Sequence, residues 1–527
     1  MIRIHQVKVT DAKDIEKTLL KKLNMPKEDL LSWTVHRKSV DARKGKVLFS
    51  FIIDAEVKHP ARYLKKKDVS ITPDERFQFT PTGTAVLKNR PVVAGFGPAG
   101  LFASLLLAQY GYKPIIIERG SEISKRQQDV ETFWKEGLLN PESNVQFGMG
   151  GAGAFSDGKL TTRSKDLKSR KVFEELVSFG APKQILTDQH PHVGTDGFVT
   201  ILQNARKEIE RLGGTFLFDD RLDDLKTDQG RLCAIKLSKT GWMDCEALIL
   251  AIGHSASDTI RMLADHQVPM ENKAFAVGVR IEHEQSFINQ AMLKERACDP
   301  ALIPARYQLA MTADNGKGVY TFCMCPGGYV IPSSSQPETV VVNGMSYASR
   351  SGENANSALL VQVDQTDTGS GVFDGLAYQE ALEKAAYDVS GSYKAPAQLA
   401  SDFLAGKVSD HFGSVKPTYA LGTVFADFNT LLPAPLVKAL KDGLMEFEQR
   451  VPGFIDDAIL TGVETRSSSS IRILRDKKSL ESEVKGLYPC GEGAGYSGGI
   501  MTSAIDGLKC AMALMDHFDK PQDGPIQ

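Results

Sequence analysis

The feature that most narrows the possible folds is a stretch of 22 residues without a charge, Pro91 to Tyr112, that carries three closely spaced glycines. Its length invites a membrane span, but Gly95, Gly97, Pro98 and Gly100 divide it into a short strand and a helix that ends at Gly111. A second apolar strand, KPIIIE, follows, so the segment reads as the opening of a parallel βαβ unit. Gly95 permits a tight turn, Gly97 lets the backbone approach a pyrophosphate, and Gly100 lets the helix pack on the strand. Phosphates then lie at a helix N-terminus, where free N–H groups and the dipole favour negative charge. The second strand ends at Glu118, 18 residues beyond Gly100, where a carboxylate accepts hydrogen bonds from ribose hydroxyls. An acid there disfavours a 2′-phosphate, which leaves FAD or NAD rather than NADP.

The organisation of the other elements predicts an α/β fold of several domains, in keeping with 527 residues. Residues 1–88 read as a small basic N-terminal α/β domain plus linker. IRIHQVKV alternates like a strand, a helix opens at Asp11, two further strands follow, and 59–90 is proline-punctuated with little periodicity. Residues 89–270 read as the first part of a Rossmann-type dinucleotide-binding domain, with a helix at 198–212, a hairpin at 221–238 and the apolar strand ALILAIG at 247–253. Residues 271–460 form an inserted α+β substrate or cap domain. Residues 461–527 complete the dinucleotide-binding domain with a strand and a helix.

Gly95 to Ala108, the Glu118-Arg119-Gly120 turn and YPCGEGAGYSGG at 488–499 resemble FAD-binding flavoproteins of the broad glutathione-reductase-like class. The resemblance implies FAD as cofactor. It implies contacts from Gly95, Gly97, Pro98, Ala99, Gly100, Glu118 and Arg119, from Gly253 beside the adenosine, and from Gly491, Glu492, Gly499 and Ile500 along the ribityl chain and flavin. It also implies that Arg126 contacts the phosphate side of FAD. More narrowly, NVQFGMGGAGAFSDGKL (144–160), AFAVGVRIEH (274–283), TFCMCPGGYVIPSSS (321–335), NGMSYASRSGENANSALL (343–360) and residues 486–508 resemble a bacterial family described as FAD-dependent or NAD(FAD)-utilising dehydrogenases. HRKSVDARKGK in the front domain belongs to that resemblance. Met149 departs from it, since the family pattern has an acid there.

Gly148, Gly150 and Gly153 form a second GxGxxG, but polar flanks exclude a buried strand before it and a helix after it. It reads as a glycine loop folding against the cofactor, with Gly150 and Gly151 offering backbone N–H groups and Lys159 and Arg163 adding positive charge. Catalytic candidates are His254 after the ALILAIG turn, His283 as an acid/base group, and Arg280, whose cation suits an anionic substrate. Cys323-Met-Cys325 lacks the CxxC spacing of a dithiol motif, and no spacing predicts a metal site.

Seven dispersed cysteines indicate reduced thiols and a cytoplasmic protein rather than a disulfide framework, and no membrane segment is expected. The leading functional expectation is an FAD-dependent oxidoreductase that moves hydride between a small organic substrate and non-covalent FAD, with NADH or NADPH as a transient co-substrate. A non-enzymatic reading keeps FAD as a structural or sensing ligand. A further alternative starts from charge. Residues 1–90 carry 20 Lys and Arg against 11 Asp and Glu, a net +9 within a chain of net −2. His36, Arg37, Lys38, Arg43, Lys44, Lys46 and Lys65 to Lys67, with Trp33 nearby, are the residues an RNA-associated flavoprotein would use. Few aromatics stand ready for base stacking, so pairing or solvation of these lysines competes with that reading.

Overall fold

The computed structural model describes the chain except residues 42–47, 162–165, 303 and 522–527. Five strands of three or four residues run parallel in the spatial order Leu487–Pro489, Leu248–Leu250, Val92–Ala94, Ile115–Glu118, Thr215–Phe218. Numbered along the chain this is 5-4-1-2-3, the doubly wound arrangement, whose direction reverses between the first and fourth strands. The four strands Val92–Ala94, Leu248–Leu250, Leu487–Pro489 and Ile115–Glu118 are buried almost throughout, which explains their unbroken apolar composition.

The helix Pro98–Gln109 is buried on all sides from Ala99 to Ala108, so it has no polar stripe. The charge-free stretch is therefore a strand and a core helix, and no helix among the described residues is long and apolar enough to cross a membrane. The expected helix spans Thr195–Arg211. The expected hairpin is Leu222–Asp228 with Arg231–Leu237, to which Gly241–Asp244 adds a third strand.

Between the fourth and fifth parallel strands the chain builds a seven-stranded sheet. Its order is Ala310–Thr312, Gly318–Cys325, Asn354–Val363, Phe275–Glu284, Ile459–Glu464, Ala395–Leu399, Thr423–Phe425, antiparallel except for the last pair. Val277, Val279 and Ile281 point to a core shared with Leu440, Leu444 and Phe447 of the helix Ala434–Arg450. The expected boundary at 460 is displaced, because Ile459–Glu464 pairs with Phe275–Glu284 as far as Gly278 against Glu464. The seven-stranded sheet therefore extends past residue 460 to Glu464.

The parallel and seven-stranded sheets lie in one compact unit, Phe79–Gly158 with Gly194–Gln527. The other unit joins Met1–Gln78 to Lys159–Val193, a segment expected in the dinucleotide domain. Its four-stranded sheet has the order Leu30–Asp41, Leu48–Val57, Ile2–Val9, Val69–Ile71. The helix Ile15–Leu23 buries Ile15, Leu19 and Leu23 at spacings of four residues. Val69–Ile71 comes from the expected linker and pairs with Ile2–Ile4; three residues are too few to show a period. The 159–193 segment is tied in by backbone bonds, from Lys38 N to Thr187 O (2.7 Å) and from Gln189 N to Lys38 O (2.9 Å). Such bonds leave no trace in side-chain patterning.

A Cβ on Gly507 of the helix Ile500–His517 would lie 2.0 Å from the Ala99 carbonyl oxygen, a backbone obstacle that cannot rotate away. Gly507→Ala is expected to destabilise the fold by roughly 1–3 kcal/mol through overpacking. Gly498→Ala, which meets nothing within 4 Å, is expected to leave the midpoint unchanged in chemical denaturation of both variants.

Candidate functional site

The crevice of a doubly wound sheet opens at the carboxyl ends of the strands, where their order reverses. Here three turns meet at that place. A Cβ on Gly95 would lie 2.4 Å from the Ala251 oxygen, and one on Gly493 would lie 2.3 Å from the Gly253 oxygen. Gly95 holds φ at +96°, which glycine alone adopts readily. A Cβ on Gly100 would come within 1.8 Å of the Gly95 oxygen, so both residues are required by the turn itself. Gly97 is different. Its nearest neighbour would be Gly151 Cα at 3.7 Å, while Gly253 and Gly499 face open space. The turn thus leaves room beside Gly97 that its own packing does not use.

Two helix N-termini border this space, Pro98–Gln109 capped by Gly97 and Ile500–His517 capped by Gly499, neither with a side-chain cap. Their first-turn N–H groups have no partner within the helix and carry the positive end of the dipole. A Cβ on Gly153 would lie 3.2 Å from Ile500 and 3.4 Å from Pro98, so the first residues of both helices flank one glycine. Glu492 stands between the strand and the second helix, its Oε2 accepting from Gly499 N at 3.3 Å.

Glu118 is 4% exposed, and its carboxylate accepts from three backbone groups: Phe96 N (2.8 Å), Gly120 N (3.0 Å) and Gly148 N (3.0 Å). It therefore joins the GxGxxG turn, the end of the second strand and the second glycine loop. Two carboxylate oxygens offer about four acceptor positions, which leaves capacity for a ribose hydroxyl. Glu118→Ala would strand three inner N–H groups and is expected to lower stability by about 3 kcal/mol, read by chemical denaturation.

The second glycine loop packs on the first turn, with Gly150 N bonded to Phe96 O (2.8 Å) and a Cβ on Gly151 only 2.9 Å from Gly97 Cα. Arg126 lies fully buried beneath it. Its guanidinium donates to the carbonyls of Asn144, Val145, Gly148 and Met149 at 2.8–3.2 Å and sits over the Phe155 ring. Burial lowers its pKa to about 10. The geometry makes Arg126 the support of the loop, with its donors spent on protein carbonyls rather than held free for a phosphate. Met149, which departs from the family pattern, is fully buried, a place suited to a thioether. Arg119 is drawn into ion pairs with Glu142 (2.9 Å) and Asp258 (3.0 Å) and stacks over Phe147 at 3.9 Å.

Sequence reasoning missed Asp506 and Arg475. Asp506 Oδ2 accepts from Gly491 N at 2.8 Å, and Arg475 holds the same carboxylate at 2.7 and 3.0 Å. The signal was available, because Asp506 is an acid inside the apolar run GGIMTSAIDGLKC. The fold also brings Cys490 and Cys510 to Asp506, with ligand atoms within 4.8 Å of one another. Arg475 donates to both Asp506 and Cys510 Sγ, so a cation already occupies that cluster. A hydrogen bond with Cys510 and burial push the Cys490 thiol well up.

The three catalytic candidates are placed as follows. His254 bonds through Nε2 to the Arg466 carbonyl at the crevice. Arg280 is fully buried, paired with Glu464 and bonded to Asn343, Asn356 and the Cys323 carbonyl; its donors are engaged within the sheet, which corrects its assignment to an anionic substrate. His283 is enclosed by Phe287, Tyr307 and Phe454 and bonded to the Phe454 carbonyl, which corrects its assignment as an acid/base group. Burial lowers its pKa to about 4. Cys325 Sγ is bonded to the Cys323 carbonyl at a β-bulge. Lys159 falls in the other compact unit, and Arg163 lies outside the described residues.

The unfolded chain accepts a proton on His283 near pH 6.5, whereas the folded chain resists it down to about pH 4. Stability contributed by the neutral ring is thus present above pH 6.5 and falls by up to about 3 kcal/mol as pH is lowered across that window. His283→Gln, which keeps a donor for the Phe454 carbonyl, is expected to flatten this part of the profile in denaturation at pH 7 and 4.5.

Residues 274–467 match the family model described as FAD-dependent protein, C-terminal domain-like, and residues 1–56 match a domain of unknown function, DUF8436. The former coincides with the seven-stranded sheet and its helices. Among solved structures, the chain is similar to a Bacillus halodurans glycerol-3-phosphate dehydrogenase complexed with FAD, at 10% identity and TM-score 0.36, over 82% of this chain and 66% of that one, just under two thirds of its length. It is also similar to a Bacillus cereus glycine oxidase at 10% identity and TM-score 0.32, over 82% of this chain and 98% of that one. A Clostridium beijerinckii protein, described as an uncharacterized protein, is 46% identical over 533 residues, across 99% of this chain and 100% of its own. With nearly half of all residues identical along both whole chains, the protein belongs to one family with this Clostridium beijerinckii relative.

Proposed function

We propose that the chain is an FAD-dependent oxidoreductase acting on a small organic substrate. The observation that carries this reading is the pair of uncapped helix N-termini, at Pro98 and Ile500, flanking one glycine loop beside an acid-terminated second strand. The N–H groups of Gly97, Ala99 and Gly100 would bind the pyrophosphate, Pro98 having none to offer, and Glu118 would hold the adenosine ribose. Gly491 and Glu492 would hold the ribityl chain, and the helix at Ile500 would stabilise negative charge on the flavin. FAD, when bound, supplies the redox chemistry, and the chain supplies binding and orientation. The match of residues 274–467 to an FAD-dependent protein model supports the same cofactor. The motifs shared with glutathione-reductase-like flavoproteins are part of this reading.

NADH or NADPH is the co-substrate class in this proposal, docking without a second Rossmann fold. His254, half-buried beside Gly253, is the remaining proton-transfer candidate. The seven cysteines form no disulfide among the described residues, which supports a reducing compartment such as the cytoplasm.

Purified protein reconstituted with FAD is expected to show the flavin absorbance bands and to bleach on anaerobic addition of NADH or NADPH. Absence of the bands contradicts the cofactor, and bands that persist with both nucleotides contradict nicotinamide-driven reduction. Gly97→Ala is expected to leave the denaturation midpoint in place, because its Cβ has room, and to weaken FAD binding at least tenfold in a fluorescence titration.

A further inference from the structure

The compact unit that joins Met1–Gln78 to Lys159–Val193 concentrates the positive charge of the chain further than its N-terminal segment does alone. Its 113 residues carry 25 Lys and Arg against 15 Asp and Glu, a net +10, and the other unit a net −12. The added segment contributes seven cations and four acids, so folding brings together two stretches that are each basic. Much of this charge is uncompensated: Lys13, Lys17, Arg37, Lys58, Lys65 and Lys67 are exposed and form no ion pair among the described residues. The buried Arg3, by contrast, is committed to Asp54 and Glu75.

The sheet of this unit also carries an open polar depression of about 510 Å³. One side of the sheet is occupied by the helix Ile15–Leu23 and its core. The depression is lined by His5, Gln6, Arg37, Ser39, Ser50 and Gln189, with Ile52 as its apolar member and Asp68 as its acid. Gln6 adopts φ +54° at a bulge between Ile4 and Val7, a device that re-aims side chains at sites of use. The lining thus combines a free guanidinium with hydroxyls, amides and an imidazole, groups that bond phosphate oxygens and ribose hydroxyls.

We infer that this unit binds the sugar–phosphate backbone of structured RNA, centred on the depression around Arg37. The large apolar side chains it exposes among the described residues are Met1, Leu31, Val40, Ile71 and Leu167, none of them aromatic. Splayed single-stranded bases are held by exposed aromatic rings; here Trp33, Phe49, Phe77 and Phe173 are half-buried, which suits helical RNA, read through phosphates and 2′-hydroxyls. The charge accounts for affinity and the polar lining for preference over DNA. The inference is independent of the flavin chemistry, which lies in the other unit.

The test uses the full chain, loaded with FAD where it binds, titrated with bulk tRNA, a duplex DNA of similar length, heparin and anionic phosphatidylserine vesicles. Binding to tRNA is expected to exceed that to duplex DNA and to weaken roughly 100-fold between 50 and 200 mM salt, the slope for about four neutralised phosphates. Arg37→Ala, and separately K65A/K66A/K67A, are expected to weaken tRNA binding at least tenfold with unchanged far-UV circular dichroism and flavin spectrum. Arg37→Lys is expected to recover part of the loss. Undetectable tRNA binding at 50 mM salt, or variants that bind like the unmodified chain, would overturn the inference. Equal binding of DNA or heparin, or tighter binding of vesicles, would overturn the assignment to RNA.

Discussion

The Glu118 carboxylate is the constraint on which the proposed cofactor site depends. It is 4% exposed, and it accepts from three backbone N–H groups, at Phe96, Gly120 and Gly148, that belong to three separate turns. Charge-assisted bonds of this kind are about twice as strong as neutral ones. Their geometry fixes the glycine turn at Phe96, the strand end at Gly120 and the second glycine loop at Gly148 relative to one another. Gly95 and Gly100 could form their turn without it, but the loop over Gly97 would lose its anchor.

A second principle recurs around the crevice: buried charges are compensated locally. Arg280 meets Glu464, Arg466 meets Glu383, and Arg475 meets Asp506, all with both partners largely out of solvent. Such pairs contribute less to net stability than their Coulomb attraction suggests, because desolvation opposes it, yet removing one partner is strongly destabilising. Their effect here is positional. Arg475 and Asp506 fix Gly491, Arg466 presents its carbonyl to His254, and Arg280 with Glu464 ties three adjacent strands of the inserted sheet. Arg126 does without a carboxylate and uses four carbonyls, which makes it a brace for the loop.

The parallel strands and the glycine turn were legible in the sequence, because a buried strand, a steric glycine and an acid-terminated second strand each follow from local chemistry, whereas the spatial order of the five strands came only with the fold. The second glycine loop, expected to fold against the cofactor, packs on the first turn, with Gly151 against Gly97. What escaped were relations that no periodicity records. Residues 159–193 join the front module through backbone bonds at Lys38. His283 and Arg280 looked chemical in the strand AFAVGVRIEH, and only the cross-strand neighbours Glu464 and Asn356 and the loop residue Phe454 reveal that both are enclosed. Asp506 was visible as an acid in an apolar helix, but its partner Arg475 comes from another part of the chain.

The most direct test of the account is the structure of the chain with FAD bound. It predicts the pyrophosphate against the N–H groups of Gly97, Ala99 and Gly100, a ribose hydroxyl on Glu118, and the isoalloxazine ring before the N-terminus at Ile500. Density for FAD elsewhere, or a pyrophosphate that leaves Gly97 without a contact, would contradict it.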